Sequence, residues 1–302
     1  MSYHPPCVFR PTGSIGVFGA NTPEEVKTLQ KMMINAGYNN IRGNNLRVTG
    51  HCDPETKAAI IWYQRLLNMS PSGLMHPQET WFFTMFSQAM APHWRPRDTG
   101  PLHVREGQVT FDAEGVDYLN GPEPFNQPKS LKNFSRVLHW PAGLSGVTIG
   151  RGYDMKDRSA GEILTHFRQA AIEEYKARIC SKAAGLIGRQ AHSFVKAYGA
   201  LVGEITHLQQ IRLFEIAYGI KLGEVKNLYR RVSRTIPNAP SWEKLDSNVK
   251  DVIIDIFYQG VHDARGLFQA AIAGRKELSL HIKSDMYYMR FENHRQRLRY
   301  LK

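Results

Sequence analysis

A hydroxyl and a carboxylate six residues apart, Thr148 and Asp154, stand in the run WPAGLSGVTIGRGYDMKDR (140–158), among Gly143, Gly146, Gly150 and Gly152. Fully extended, six residues would separate them by roughly 20 Å, too far to act on one substrate atom. A reversal through Gly150, Arg151 and Gly152 would instead set the two groups side by side, and glycine supplies the backbone freedom such a turn needs. A carboxylate beside a hydroxyl can hold a water and take its proton. The same residues also read as a plain glycine-rich hairpin with a turn aspartate, because a lone Gly-x-Gly has little specificity.

Upstream, Phe111 to Leu119 reads as a short capped amphipathic turn, and Glu123 follows its end. With the Thr-Ile-Gly-Arg-Gly-Tyr-Asp run of 148–154 behind it, the sequence resembles the phage-type lysozymes, and most closely the pesticin-like muramidases. Those enzymes carry a glutamate just after a first short helix, then a Thr-Ile-Gly-x-Gly strand, then an aspartate six residues beyond the threonine. The resemblance implies that Glu123, Thr148 and Asp154 are catalytic. Glu114 is the rival acid, although an acid at the start of a helix more often caps it or meets its dipole.

The residue types suit glycoside hydrolysis. One carboxylic acid protonates the leaving oxygen and, in inverting enzymes, a second carboxylate activates water. An acid in an apolar pocket can stay protonated near neutrality. Tyr153, next to Asp154, is a candidate substrate contact.

These groups need a scaffold, and 302 residues suffice for about two domains with a substantial core. Lys and Arg (39) exceed Asp and Glu (27) by 12, a balance that draws a protein to polyanions such as nucleic acid, anionic membranes or the bacterial envelope. The densest basic cluster, Arg290, Arg295, Arg297, Arg299 and Lys302, interleaves with Phe291, Leu298 and Tyr300 and reads as a solvated helix face before a nucleic-acid patch. No apolar run reaches the length of a membrane span, so no membrane insertion is expected. The first residues, with prolines and no apolar core, do not read as a secretory signal. Three scattered cysteines imply no disulfide framework, and no metal-ligand spacing or cofactor motif is present, so neither metal nor cofactor is expected.

Along the chain, residues 1–20 read as an irregular arm. Asn21-Thr22-Pro23-Glu24-Glu25 is a helix start, followed by Val26, Leu29, Met32, Met33 and Ala36 at helical spacing up to Gly37. Asp53-Pro54-Glu55-Thr56 opens a second helix, and His76-Pro77-Gln78-Glu79-Thr80 a third, running to about Met90. Val-x-x-Leu-Gln at 26–30, Asp-Pro-Glu-Thr-x-x-Ala-Ile at 53–60, Tyr-Gln at 63–64 and Pro-Gln-Glu-Thr-Trp at 77–81 resemble a peptidoglycan-binding domain, a three-helix module. Val-Thr-Gly-His-Cys stands where that family usually has Asp-Gly-x-Phe-Gly before its second helix.

Pro92, Pro96 and Pro101 mark a linker. The division expected is an arm and peptidoglycan-binding-like module at 1–90, a linker at 91–103 and a lysozyme-like domain at 104–302, the last able to fold alone. After 158 the chain reads as helix: a long amphipathic segment from Ser159 to Ile179, shorter helices near 189–200, 207–219 and 222–234, and an apolar helix from Val249 to Val261. This last run resembles the central helix of phage-type lysozymes. It would form the buried spine, its Tyr258 and Gln259 either closing the core or facing substrate. The fold class expected is mainly α, a three-helix module plus an α+β lysozyme-like domain with a small β-sheet near 135–155.

The function expected is a muramidase cleaving the β-1,4 bond between N-acetylmuramic acid and N-acetylglucosamine, with peptidoglycan as partner and substrate. A lytic transglycosylase, a phage endolysin and a non-catalytic wall-binding protein are the alternatives; nucleic-acid binding rests on charge alone and ranks last. The layout resembles type VI secretion wall-hydrolase effectors. That resemblance implies synthesis in the cytoplasm, action on the wall of a target bacterium, and as further partners a secretion-apparatus component and a periplasmic immunity protein.

Overall fold

The computed structural model describes residues 9–41, 43–90, 102–115 and 135–302. They are mainly helical, with thirteen α-helices and two two-stranded sheets among the described residues. The described parts of Met1–Pro101 and Val116–Gln210 form one compact unit, those of Leu102–Gly115 and Ile211–Lys302 a second.

In the first unit, β1 (Ile15–Gly16) pairs antiparallel with β2 (Leu74–Met75), Ile15 opposite Met75. Residues 15–16 are therefore sheet rather than irregular arm. The strands approach so closely that a side chain on Gly16 (φ +128°) would collide with the Gly73 carbonyl. Asn21 closes this turn instead of capping a helix: its side chain accepts the Gly16 N–H at 2.8 Å and donates to the Gly16 carbonyl at 3.0 Å. Helix α1 (Pro23–Asn35) then begins on a proline, whose missing N–H is no loss in a first turn. Helix α2 (Pro54–Leu66) is capped by Asp53, which accepts the Thr56 N–H at 2.8 Å, and α3 (Thr80–Met90) completes the trio.

Two fully buried glutamines brace the loops between these helices. Gln30 Oε1 accepts the N–H groups of Thr49 and Gly50, and its amide donates to Thr56 Oγ1. Gln64 accepts from Gly73 and donates to the Leu74 carbonyl. Both belong to the motifs that carry the peptidoglycan-binding resemblance, and both hold scaffold in place.

The same unit contains α5 (Ala160–Gln169), α6 (Glu174–Ser181) and α7 (Gly188–Val202). The single long helix expected from Ser159 to Ile179 is broken at Ala171, whose φ of +58° turns the chain so that α6 folds back against α5. A capping box between Ser159 and Glu162 starts α5 as expected. Helix α3 packs on α7, the Trp62 and Tyr198 rings stack at 6.0 Å with 1° between their planes, and Arg178 Nη1 donates to the Leu67 carbonyl at 2.9 Å. The three-helix module and α5–α7 thus share one packed body.

In the second unit, α4 (Gln108–Ala113) packs on α9 (Ser247–Gln259), whose Val249, Val252, Ile253, Ile254 and Ile256 are buried. The spine expectation holds. Helix α8 (His207–Ser233), part of this unit from Ile211 on, is continuous through Gly219 and Gly223, where two shorter helices were expected; neither glycine adopts a positive φ. Helices α10 (Ala264–Ile272), α11 (Arg275–Ser284), α12 (Met286–Arg295) and α13 (Arg297–Tyr300) complete the unit.

The basic C-terminus is not simply a solvated face. Arg297 has no exposed surface and Arg295 little, and both bind the fully buried Asp255 of the spine, Arg295 also binding Glu114. Residues two apart on a helix cannot face one partner. A left-handed residue, Gln296 at φ +55°, separates α12 from α13 and lets both arginines converge.

Candidate functional site

The chain reverses as its glycines imply. Strands β3 (Thr148–Ile149) and β4 (Tyr153–Asp154) form a tight antiparallel hairpin in which Thr148 lies opposite Asp154 and Ile149 opposite Tyr153. Gly150 and Gly152, at φ +66° and +75°, make the turn. Both backbone groups of Thr148 go the other way, to His139, in a mutual pair of 2.9 Å hydrogen bonds. Thr148 and Asp154 therefore form a non-hydrogen-bonded cross-strand pair, the kind in which side chains stand closest, with Cα atoms about 4.5 Å apart.

The Asp154 carboxylate is half-buried and held from two sides: Oδ2 accepts the Gly146 N–H at 3.1 Å and Oδ1 the Lys156 N–H at 2.8 Å. An ionised carboxylate has about four acceptor positions, so capacity for a water remains. Thr148 is almost fully buried, and its hydroxyl donates to the Gly146 carbonyl at 3.4 Å. One glycine thus anchors both groups.

His139, not singled out in the sequence, is the third member of this row. It lies opposite Thr148 in a hydrogen-bonded pair, on the side away from Asp154, and residues opposite one another across strands share a face, so all three side chains project from one face. Its Nδ1 faces the Val137 carbonyl at 3.0 Å. Burial pushes its pKa down, against the opposing pull of the Val137 carbonyl and the Asp154 charge. The only sequence signal for it was position, nine residues before Thr148, which without the bridge register carries no meaning.

The other candidates fall elsewhere. Glu123 lies outside the described residues. Tyr153 is fully buried, its hydroxyl 2.8 Å from His166 Nδ1 and its ring under Arg158, with burial pushing the phenol pKa well up. Its expectation as a substrate contact is corrected: alternation in the hairpin turns it to the face opposite Asp154. Tyr258 stacks on Tyr218 at 6.2 Å, and Gln259 accepts a hydrogen bond from the buried Arg297, contacts that match the core-closing reading of the pair. Glu114 is engaged by Arg295, a structural role.

Residues 22–78, which hold α1, α2 and both buried glutamines, match the peptidoglycan-binding domain family. Residues 107–294 match a domain family of unknown function, DUF8812, and the chain belongs to that family. No curated protein matches the chain.

Proposed function

We propose that this protein is a peptidoglycan hydrolase, a muramidase cleaving the β-1,4 bond between N-acetylmuramic acid and N-acetylglucosamine. The observation that carries the reading is the close cross-strand pairing of Thr148 with Asp154. In this reading Asp154 takes the proton of a water steadied by the Thr148 hydroxyl. Glu123, assigned by the lysozyme resemblance, protonates the departing glycosidic oxygen. Attack from the face opposite the acid inverts the anomeric centre. The peptidoglycan-binding domain keeps the enzyme on its insoluble substrate, and two linked modules can raise avidity about 10²–10⁴-fold. The setting we propose is that of a type VI secretion effector: made in the cytoplasm, acting on the wall of a target bacterium, and countered by a periplasmic immunity protein.

The test is release of soluble muropeptides from purified sacculi. Wild type should release them with the α-anomer first. Asp154→Asn and Glu123→Gln should each lose about 10²–10⁴ in rate, the usual worth of general acid–base catalysis. A β-anomer first would indicate retention, and a 1,6-anhydro end a transglycosylase. One observation favours a second reading, a wall-binding protein without catalysis: both Asp154 oxygens already accept backbone N–H groups. Full wall binding by wild type with no release under any condition would establish it.

A further inference from the structure

Beside the Thr148–Asp154 pair, residues 140–146 form a loop held in a strained shape. Ala142 sits at φ +110°, where L-residues rarely lie, and Gly143 follows at φ +60°. The loop is tied down from several sides. Trp140 Nε1 donates to the Ser145 carbonyl at 3.1 Å, and the Gly188 N–H at the start of α7 donates to the same carbonyl at 3.2 Å. Gly146 bridges to Ile187, and the Trp140 ring lies 5.3 Å from that of His192. What this braced segment exposes is apolar: Leu144 is 78% exposed and Ile187 44%, and Trp140 is half-buried. Strain retained under so many constraints is characteristic of ligand-contacting segments.

We propose that Trp140, Leu144 and Ile187 form a platform for the apolar faces and acetamido groups of N-acetylated amino sugars in a glycan strand. It deepens the proposed hydrolysis and rests on that reading for its choice of ligand. The loop ends at Gly146, whose N–H binds the Asp154 carboxylate, so platform and carboxylate share one residue. Three side chains cannot supply the roughly 800 Å² per partner of a stable protein interface. They do match the scale of a sugar ring with its acetyl methyl. The indole N–H is already committed to Ser145, so the ring offers apolar surface rather than a donor.

The experiment is a titration of the ¹⁵N-labelled full chain carrying Asp154→Asn with chitotetraose; the wild-type chain near 5 °C serves if that variant melts early. The Trp140 indole N–H resonance is identified by its loss in Trp140→Phe. It should shift on titration, and Leu144→Asp, at an exposed site, should weaken the fitted Kd at least about tenfold without lowering Tm. An unmoved Trp140 resonance, or an unchanged Kd in Leu144→Asp, overturns the platform. Sacculus hydrolysis by Asp154→Asn is measured in parallel. Its retention would remove the catalytic assignment of Asp154, while the titration decides the platform independently.

Discussion

The carboxylate of Asp154 occupies the place that a side chain on Gly146 would fill, and it accepts the Gly146 N–H at 3.1 Å. Glycine is required here by close approach, not by an unusual φ. A methyl group at 146 would collide with the carboxylate and also meet Lys156 Cβ at 2.7 Å and its backbone nitrogen at 2.9 Å, so both the carboxylate and the strand end that holds it must shift. Gly146→Ala should therefore lower muropeptide release about 10²-fold, the scale of an ångström-sized misplacement, while destabilising by only about 1–3 kcal/mol. Gly161→Ala, where an added Cβ meets nothing within 4 Å, is the control and should leave both release and Tm near wild type.

The ion cluster under the second unit yields a different prediction. Asp255 and Arg297 have no exposed surface, and Asp255 also takes Arg295 Nη1 at 2.6 Å. Removing the shared carboxylate leaves the buried Arg297 without its anionic partner and Arg295 with Glu114 alone, so Asp255→Ala should cost about 3–5 kcal/mol in urea unfolding. Arg297→Met leaves Asp255 with Arg295 and fills similar volume, so it should cost clearly less. Equal losses in the two variants would mean that the charges are not coupled through Asp255.

What the sequence made legible follows from how local each signal is. The Thr148–Asp154 juxtaposition depended on a turn written into Gly150 and Gly152. The spine helix followed from apolar residues at 249, 252, 253, 254 and 256, dense enough to bury most of the helix even with Asp255 among them. His139 was invisible because its place in the row comes from a bridge across nine residues that no periodicity announces. Arg297 was misread for a related reason: a basic run looks solvated until a single left-handed residue, Gln296, turns it onto a buried aspartate. Ala171 broke a helix at an alanine, a residue that gives no warning of a positive φ.

A boundary in composition need not be a boundary in packing. The prolines between 92 and 101 suggest two independent domains, yet α3 packs on α7 and Trp62 stacks on Tyr198 within one unit. A fragment of 102–302 would uncover Tyr198 and leave Arg178 without the Leu67 carbonyl. Its urea midpoint should fall well below that of the full chain, with near-ultraviolet circular dichroism lost first. Trp62→Ala in the full chain should reproduce part of the fall, because an aromatic pair is worth about 0.5–1.5 kcal/mol beyond its buried area. A fragment with the midpoint of the full chain would show instead that 135–210 folds without the module.

The last prediction concerns pH. Burial holds the His139 pKa below its ordinary value of about 6.5, and burial with the nearby Arg158 charge does the same for His166. The unfolded chain then binds a proton that the folded chain refuses. Stability is full above about pH 6.5 and declines as pH falls through that value toward the folded pKa, by at most about 1.4 kcal/mol per pH unit for each proton. Carboxylates held down by ion pairs act in a separate window. Glu174, held near pKa 2 by Arg168 and Arg178, contributes stability lost only as pH falls below about 4.5. Urea unfolding at pH 7.5, 6.5 and 5.5 should therefore show a decline that His139→Gln partly flattens and the double variant with His166→Gln flattens further. Release of muropeptides, measured across the same range, should fall with the protonation of His139 if its charge disturbs the neighbouring Asp154. Stability curves of wild type and His139→Gln that run parallel from pH 7.5 to 5.5 would assign the decline to other groups.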